Sequence, residues 1–451
     1  MEVLYRRCCG LDVHKDSITA CVLILGDEGR REIRHKEFRT FTADLHKLRL
    51  WLHACKVEHV AMEATGVYWK PVWNILDGQF PLLLANARHM RNIPGRKTDS
   101  KDAEWIADLL AHGLLRPSFV PEREIRNLRD LTRYRVKLTQ GRSRTQSRIT
   151  KVLEDANLKL GSVASDIPGK SGRAMLDRIA FQLTDDIVGL ADTRHNRLHA
   201  SLTDVRNALK SNVTDHHRWM LARLLGQIDS LSRLIEDLEQ EISRKMKPYE
   251  DHIDRLLSIP GVDLITAWTL IAELGTDMSK FPDAAHAASW AGLVPGNCES
   301  AGKRLSTRTR HGNAWIRRAL CQSAWAVSRK KDCALTAFLH RVASRHGMKK
   351  AIVATAHRIL VVVYHLLRDG SYYREEGGSV YDSRNPRRTV DRLTKRLQRL
   401  GAVVDVSFPD GLPQPKRRPG RPCKCVQRGI PCHHKPPLEQ PNKHVTRSAD
   451  L

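Results

Sequence analysis

The order of strand-like and helical runs in the first 120 residues limits the fold more than any other feature. Three runs of β-branched and apolar residues, separated by turn residues, follow one another directly and end near Phe41. Two further strand-like runs, EHVAMEA and PLLLANA, alternate with segments of helical spacing. This order predicts a mixed α/β unit, one sheet flanked by helices.

The chain beyond this unit is helical by pattern. Residues 122–160 predict one long cationic helix, with a break near Gly141 left open. Residues 161–215 are polar and weakly patterned. Apolar residues between 221 and 242 recur at alternating spacings of three and four, which suits a helical hairpin or a short coiled coil.

We expect four segments in all: an α/β domain over residues 1–120, a basic helical and coiled-coil segment over 121–250, a mainly helical domain over 251–370, and a basic, largely disordered tail over 371–451. The tail is rich in proline and contains a short basic helix near its start.

The net charge of the chain indicates which kind of molecule it binds. The formal net charge is +26 with a pI near 10.0, and such a field attracts polyanions, of which nucleic acid is the commonest inside cells. A membrane surface is the competing polyanion. However, we find no run of about 20 apolar residues and no signal peptide. The ten cysteines are scattered, which predicts reduced thiols and a cytoplasmic protein.

One helical segment, KTDSKDAEWIADLL, aims acidic residues inward. On a helical wheel, Asp99 and Asp102 fall on the apolar side that includes Ile106, whereas Glu104 and Asp108 lie opposite. Carboxylates on the apolar side of a helix need a specific reason, because most acidic residues on amphipathic helices point to water.

Two further acidic residues stand near the ends of predicted strands, Asp12 in the first and Glu63 after EHVAM. Carboxylates from strands and from a later helix can meet around two Mg²⁺ ions, since hard cations prefer oxygen ligands and offset the repulsion between carboxylates. The alternatives are a helix N-cap at Asp99, a first-turn carboxylate at Asp102, a turn residue at Asp12 and a strand-end residue at Glu63.

Several motifs resemble a known family. GLDVHKDS, MEATGVYW and GRKTDSKDAEWIADLL resemble the N-terminal domain of the DEDD transposases of bacterial insertion sequences, the insertion-sequence-110 family. IPGVDLITAWTLIAELG, FPDAAHAASWAGLVPGN and ESAGKRLSTRTRHGNAWIRRAL resemble the second conserved domain of that family. The resemblance spans residues 5–370, and its middle part matches mainly in helical character.

The resemblance implies an RNase H-like, RuvC-type domain whose acidic tetrad coordinates Mg²⁺. The matching positions are Asp12, Glu63, Asp99 and Asp102. It also implies a transposase that cuts and rejoins double-stranded DNA, guided by a structured non-coding RNA. Because strand exchange needs several active sites, a dimer or tetramer is expected, with residues 221–242 as a contact.

Ser300 is the second chemical candidate. By pattern alone it is a loop residue in a Gly-rich turn, although a hydroxyl can attack a phosphodiester. The resemblance implies a serine nucleophile at this position. The family usually has glycine directly after the serine, whereas here Ala301 precedes Gly302. Ser306 is a lesser candidate. A plain junction-resolving nuclease that uses water, or a binding protein without catalysis, are the rival functions.

Three basic stretches are candidates for nucleic-acid binding, with a solvated basic face as the alternative. The long helix has few aromatic residues, which favours contacts to the backbone over stacking on bases. The candidates are Arg126, Arg129, Arg133, Lys137, Arg142, Arg144 and Arg148 in the long helix, Lys303, Arg304, Arg308, Arg310, Arg317 and Arg318 around Ser300, and Arg418 and Arg421 in an AT-hook-like tail motif.

Three smaller features remain open. IPGVDLITA looks like a helix-hairpin-helix, but Asp263 would oppose a phosphate, so we favour a structural hairpin. His14 and Lys15 either contact substrate or face solvent. The tail cluster of Cys423, Cys425, Cys432, His433 and His434 has irregular spacing for zinc, which favours no structural metal.

Overall fold

A computed structural model describes residues 3–26, 30–64, 66–86, 90, 102–163, 167, 169–181, 190–191, 200–296, 298–300, 303–306, 308–383 and 386–407. For residues 170–171, 298–300 and 303–306 it describes the backbone alone.

The N-terminal residues form one five-stranded mixed sheet, as the order of runs predicts. Its strands are β1 (Arg7–Val13), β2 (Ser17–Leu25), β3 (Arg31–Arg39), β4 (His59–Glu63) and β5 (Leu82–Ala85), in the spatial order β3-β2-β1-β4-β5. β1, β2 and β3 pair antiparallel, whereas β4 and β5 run parallel to β1. The pairing changes from antiparallel to parallel at β1, and β1 and its parallel neighbour β4 carry the candidate carboxylates.

Helices cover both faces of this sheet because apolar residues occupy both sides of β1. Cys9, Leu11 and Val13 point toward α1 (Thr42–Ala54) and α2 (Trp69–Leu76) and share a buried core with them. Cys8 points the other way and is buried with residues of α3 (Asp102–Ala111). Side chains on successive strand residues alternate between the faces, so each position in β1 can be assigned to one helix layer.

Gly10 allows α3 to lie directly on β1. A Cβ at this position would stand 2.2 Å from the carbonyl oxygen of Ala103 and 2.5 Å from the backbone nitrogen of Ala107. Both atoms belong to the helix backbone, which cannot move aside as the end of a flexible side chain can. The glycine therefore sets the distance between the sheet and the first turn of α3.

Replacing Gly10 by alanine is expected to destabilise the sheet unit by about 2–3 kcal/mol, because the helix must move away from the strand. Chemical unfolding and hydrogen exchange in α3 measure the effect. Gly226→Ala is the control. Gly226 lies inside a helix of residues 215–246, an added Cβ there has nothing within 4 Å, and alanine should stabilise that helix by about 0.5–1 kcal/mol. If both substitutions changed the free energy of unfolding equally, the close contact between Gly10 and α3 would be contradicted.

Two long helices form an antiparallel hairpin within the chain. α4 (Arg123–Asp155) is continuous through Gly141, so the break left open by the sequence does not occur. It runs against α8 (Asp215–Met246), with Arg135 paired to Glu239 near one end and Asp155 to His217 at the other. The heptad residues Leu221, Ile228, Ile235 and Ile242 are buried in this hairpin. A contact between subunits through the same stripe does not fit this arrangement.

A small core closes one end of the hairpin. It is built by α5 (Leu160–Val163), α6 (Lys170–Phe181) and α7 (Leu202–Leu209), whose apolar residues pack with Ile149, Leu153 and Leu221. Arg173 fastens α6 to α8 through two hydrogen bonds of 2.6 and 2.7 Å to Asp229. The weak sequence pattern between residues 161 and 215 did not predict this core.

The C-terminal helices share the largest apolar core, to which the other end of the hairpin contributes. They are α9 (Glu250–Leu257), α10 (Leu264–Leu274), α11 (Ala284–Trp290), α12 (Ala314–Val327), α13 (Ala334–His346) and α14 (Met348–Asp369), followed by α15 (Val380–Ser383) and α16 (Pro386–Arg399). Two short 3₁₀ helices (Lys247–Tyr249 and Met278–Lys280) and a ribbon of β6 (Cys298–Ser300) and β7 (Lys303–Ser306) complete the described elements.

α14 is long and apolar enough to cross a membrane by length and composition, which the sequence inspection did not anticipate. In the described structure, 56% of its most apolar window is buried, and Ile359 and Leu360 are fully enclosed. These are the contacts of a core helix, packed against α12 and α13.

Candidate functional site

Two of the predicted carboxylates lie at the same edge and on the same face of the sheet. The parallel register of β1 and β4 pairs Leu11 with Met62, and the next residues on the two strands are Asp12 and Glu63. Leu11 and Met62 face the α1 and α2 side. Asp12 and Glu63 therefore face the opposite layer, toward α3.

The third carboxylate enters from α3. Asp102 is the first residue of this helix, and its neighbour Ala103 touches the backbone of Gly10, two residues before Asp12. The helix thus begins beside the strand ends that carry Asp12 and Glu63. All three side chains are partly buried. Asp99, the fourth predicted carboxylate, lies outside the described residues.

His14 contacts one of these carboxylates. Its Nε2 lies 3.1 Å from Oδ2 of Asp12, where the histidine side chain is 65% exposed and the aspartate side chain 19% exposed. The ring can hold Asp12 in one orientation while staying open to solvent. His14 therefore belongs to the carboxylate edge, and both alternatives of the sequence analysis, solvent exposure and a place beside the substrate, remain compatible with its position.

The three side chains are of the kind that binds a hard divalent cation, since all are carboxylates and lie at a partly enclosed edge. In the described part of the chain, however, no three Asp, Glu, His or Cys side chains stand close enough to hold an ion. An ion at this edge therefore needs a further ligand or a closer approach of these side chains.

Glu104 and Asp108 have a different role. Both bind Arg31 of β3, at 3.0 and 3.4 Å, and these pairs fasten α3 to the antiparallel side of the sheet. The helical wheel separated the two residues from Asp102, and the structure places them away from the carboxylate edge.

Ser300 lies at the tip of a two-stranded ribbon. It is the last residue of β6 and pairs with Lys303, the first residue of β7. The ribbon continues toward its base through the pair of Pro295 and Thr309 and a hydrogen bond of 2.8 Å from Gly296 N to Arg308 O. The side chains of Ser300, Ser306, Lys303 and Arg304 lie outside the described part.

A buried carboxylate supports the base of the ribbon. Glu273, at the end of α10, is 0% exposed and accepts a hydrogen bond from Nδ2 of Asn313. Asn313 also caps α12, where it accepts from the backbone of Trp315 and Ile316. Glu273 escaped the sequence analysis because it sits in an apolar helix without a neighbouring charge.

Glu273 also binds two of the arginines assigned to nucleic acid. Arg133 donates two hydrogen bonds to its carboxylate, at 2.7 and 2.9 Å, and Arg129 lies 3.3 Å from it. Arg129 also donates to the carbonyl oxygens of Ala272 and Glu273 at the C-terminus of α10. Burial lowers the pKa of Arg129 to about 10. Both arginines thus have partners inside the protein, and we do not retain them as nucleic-acid contacts.

The other cations of α4 divide into two groups. Arg126 donates to Asn74 and lies 3.4 Å from Asp77, and Arg142 donates to Ser232. The second group is exposed, and no described carboxylate pairs with it. Its spacing of seven, four and three residues puts it on one side of the helix. We call this group the basic stripe: Lys137, Arg144, Arg148 and Lys151.

The remaining predicted binders surround the ribbon or lie in the tail. Arg308 and Arg310 are exposed near its base, and Arg317 and Arg318 are half-buried in α12. The tail candidates, Arg418 and Arg421 together with the cluster Cys423, Cys425, Cys432, His433 and His434, lie outside the described residues.

The Gly-rich hairpin before α10 is structural in its described contacts. Asp263 caps α10 by accepting from Thr266 N at 2.8 Å. Gly261 has a φ of 82°, and a Cβ there would stand 2.6 Å from the carbonyl of Ser323 in α12. The carboxylate thus occupies the helix N-terminus that a phosphate would need.

Family models match both ends of the described fold. Residues 9–158 match the DEDD transposase model of the IS110 type, and residues 253–339 match the transposase model of the IS116/IS110/IS902 family. The first match runs from β1 through α4 and includes the carboxylate edge. The second runs from α9 into α13 and includes the ribbon.

Relatives that cover most of the chain also come from insertion sequences. The transposase for insertion sequence element IS1111A of Coxiella burnetii is 24% identical over 377 residues, which cover 81% of this chain and 90% of that protein. The insertion element IS110 43.6 kDa protein of Streptomyces coelicolor is 29% identical over 62% of this chain and 73% of its own length. The insertion element IS900 42 kDa protein of Mycobacterium paratuberculosis is 29% identical, covering 65% and 80%.

Proposed function

Since the chain belongs to the IS110 family of insertion-sequence transposases, we propose that it cuts and rejoins DNA with metal-binding carboxylates and a serine nucleophile. The observation that carries the proposal is the placement of Asp12, Glu63 and Asp102 at the same edge and on the same face of the sheet. No purely structural demand of the sheet requires three like charges there, whereas a divalent cation offsets their repulsion.

The sheet supports an RNase H-like, RuvC-type catalytic domain. Three antiparallel strands precede two parallel ones, helices cover both faces, and the acidic residues lie on β1 and β4, where the pairing changes from antiparallel to parallel. We keep this domain at residues 1–120, although the family match continues along α4 to residue 158.

Asp12, Glu63, Asp102 and Asp99 would hold two Mg²⁺ ions. Such ions stabilise both the attacking and the leaving oxygen of a phosphoryl displacement. Within the chain, His14 positions Asp12 through its 3.1 Å contact, and the partly buried edge limits the access of water to the carboxylates.

Ser300 would attack the scissile phosphodiester. Its oxygen forms a bond to phosphorus while the bond from phosphorus to one sugar oxygen breaks; the hydroxyl loses its proton to solvent, and the leaving sugar oxygen takes one up. The products are a phosphoserine ester and a free strand end, and attack by another strand's hydroxyl rejoins the DNA. The position at the ribbon tip supports this role, because a tip can reach a strand bound at another surface.

The test is the covalent intermediate. The full-length protein, incubated with DNA carrying the element ends and with Mg²⁺, is expected to form a denaturant-resistant DNA adduct that Ser300→Ala abolishes. Ser306→Ala is the matched control on the facing strand and should retain the adduct. Full cleavage by Ser300→Ala without any adduct would instead establish the alternative, a junction-resolving endonuclease that uses water. A wild type that binds the DNA but neither cleaves it nor forms an adduct, with binding unchanged in Asp102→Ala, would establish a binding protein without catalysis.

The partners follow from charge and from family membership. We propose double-stranded DNA as substrate, a structured non-coding RNA as guide, and a dimer or tetramer as the acting form, in the bacterial cytoplasm on the nucleoid. The high net charge and the basic stripe support a polyanionic partner.

The basic stripe is expected to set part of the salt dependence of binding. Combined replacement of Lys137, Arg144 and Arg148 by alanine should make binding less sensitive to salt. The negative slope of log affinity against log salt should become shallower by about two to three, since each phosphate contact contributes about 0.9 to its magnitude. Titrations of a labelled duplex and of a labelled structured RNA at several salt concentrations measure it. Arg135→Ala, which removes a cation already paired with Glu239, should leave the slope unchanged. An unchanged slope in the triple variant would exclude the stripe from the interface.

A further inference from the structure

A cavity of about 230 Å³ lies between the sheet unit and the first turns of α4. One wall comes from α2 and β5, the other from the segment leading into α4 and from α4 itself. The lining includes Trp69, Leu84, Phe119 and several charged residues described below.

The cavity stands next to the carboxylate edge, on the other side of the sheet. Trp69 begins α2, six residues after Glu63. Leu84 precedes Ala85, which is the register partner of Glu63. Because Leu84 packs in the core on the α1 and α2 side, the cavity opens beside the same strand ends but opposite to Glu63.

Its lining carries more positive than negative charge. Lys70 and four arginines (Arg123, Arg126, Arg129 and Arg133) reach it, against one lining carboxylate, Asp130, and two carboxylates bound behind the arginines, Glu273 and Asp77. Burial lowers the pKa of Arg129, and its neighbours Arg133 and Arg126 lower it further despite Glu273. An electropositive, partly enclosed site of this kind favours an anion.

Two of these cations are available to a ligand. Arg123 is exposed and has no described carboxylate partner. Lys70 has only a 3.5 Å contact with Asp130, whose side chain is 65% exposed, and such surface pairs contribute little. The other three arginines hold Asp77 or Glu273 and are part of the protein's own framework.

The cavity also offers aromatic and apolar surface. Trp69 is partly buried and packs edge-on against Trp73 at 5.7 Å, which fixes its ring. Phe119 is held between Phe281 and Trp290 at 5.1 and 5.6 Å. An aromatic ring beside cations that can reach a ligand suits a planar base attached to a phosphate.

Size excludes a whole dinucleotide or a drug-sized cofactor. The 230 Å³ volume is below the roughly 300–1,000 Å³ of typical small-molecule sites. One base fits such a space while the rest of its strand stays outside, as happens when proteins extrude a nucleotide from a stack.

We propose that this cavity binds one unpaired nucleotide of a nucleic-acid strand, with the base beside Trp69 and the phosphate on Lys70 and Arg123. The inference rests on the proposed function, because it presumes a nucleic-acid substrate at the neighbouring carboxylate edge. The bound nucleotide would hold the strand where it passes the ends of β4 and β5.

The test compares a labelled duplex with one unpaired adenine to the same duplex fully paired, both bound to the full-length protein without divalent metal. The wild type is expected to bind the duplex with the unpaired base about tenfold more tightly. Trp69→Ala and Arg123→Ala should remove this preference, and Trp69→Phe should keep most of it. Trp51→Ala, a partly buried tryptophan of α1 outside the cavity, is the control and should keep it.

A fluorescent adenine analogue at the unpaired position reports occupancy directly, with quenching expected in the wild type and in Trp51→Ala but not in Trp69→Ala. Equal binding of the two duplexes by the wild type, or a preference that survives in Trp69→Ala and Arg123→Ala, would overturn the proposal. These assays need no cleavage. If the wild type forms no Ser300-dependent adduct but still prefers the duplex with the unpaired base, only the proposed chemistry is refuted, and the nucleotide site stands.

Discussion

Replacing Asp12 by asparagine is expected to lower DNA cleavage by at least about 10³-fold while leaving DNA affinity within about twofold. Asparagine keeps the size of the side chain and removes the charge that a divalent cation requires. Several kcal/mol of transition-state stabilisation depend on that cation, and each 1.4 kcal/mol is about tenfold in rate. Glu63→Gln should behave in the same way, because Glu63 stands beside Asp12 in the parallel register.

Single-turnover cleavage and equilibrium binding, measured on the same preparations, separate chemistry from folding. Glu104→Gln is the matched control, since this carboxylate lies two residues after Asp102 but binds Arg31 of β3. It should cleave within about twofold of the wild type, since loss of a surface pair costs only about 0–1 kcal/mol. Cleavage by Asp12→Asn at the wild-type rate would remove the carboxylate edge from the mechanism.

The carboxylate edge was accessible to sequence reasoning because it depends on local periodicity. Strand alternation places Asp12 and Glu63 on definite faces, and helical spacing separates Asp102 from Glu104 and Asp108. The order of runs also predicted a mixed sheet. What periodicity does not contain is the distance between the three carboxylates, which depends on how closely Gly10 lets α3 approach β1.

The arginines of α4 show where local reasoning fails. Arg133 and Arg144 look alike in a basic sequence, yet the first binds a carboxylate 140 residues away and the second faces solvent. Nothing near either residue in the chain signals the difference, because it arises when α10 packs against α4. For the same reason the sequence could not decide whether the heptads of α8 pair within the chain.

Ser300 presents the opposite situation. The sequence and the family resemblance supply the residue, and the backbone adds that it ends a strand at the tip of a ribbon. Its role still depends on the family motif, from which this chain departs at Ala301. The adduct test is therefore decisive for the serine, whereas geometry already narrows the choice of carboxylates.

Replacing Glu273 by glutamine is expected to destabilise the helical core by about 3–5 kcal/mol, the usual cost of leaving buried charges without their partner. Glu273 is fully buried and joins Arg129 and Arg133 of α4 to Asn313 at the base of the Ser300 ribbon. Glutamine keeps the shape but leaves two guanidiniums uncompensated. Hydrogen exchange in α10 and α12, together with chemical unfolding of the full-length protein, measures the loss.

The control is Glu239→Gln in α8, which breaks a partly exposed pair with Arg135 of α4 and should cost no more than about 1 kcal/mol. If Glu273 also positions the ribbon, Glu273→Gln should lose the Ser300 adduct at temperatures where the protein is still folded, and Glu239→Gln should not. Equal stability of the two variants would mean that Arg129 and Arg133 find solvent or other acceptors. Arg129 and Arg133 would then again be candidates for nucleic-acid contacts, because they would not need Glu273 as a partner.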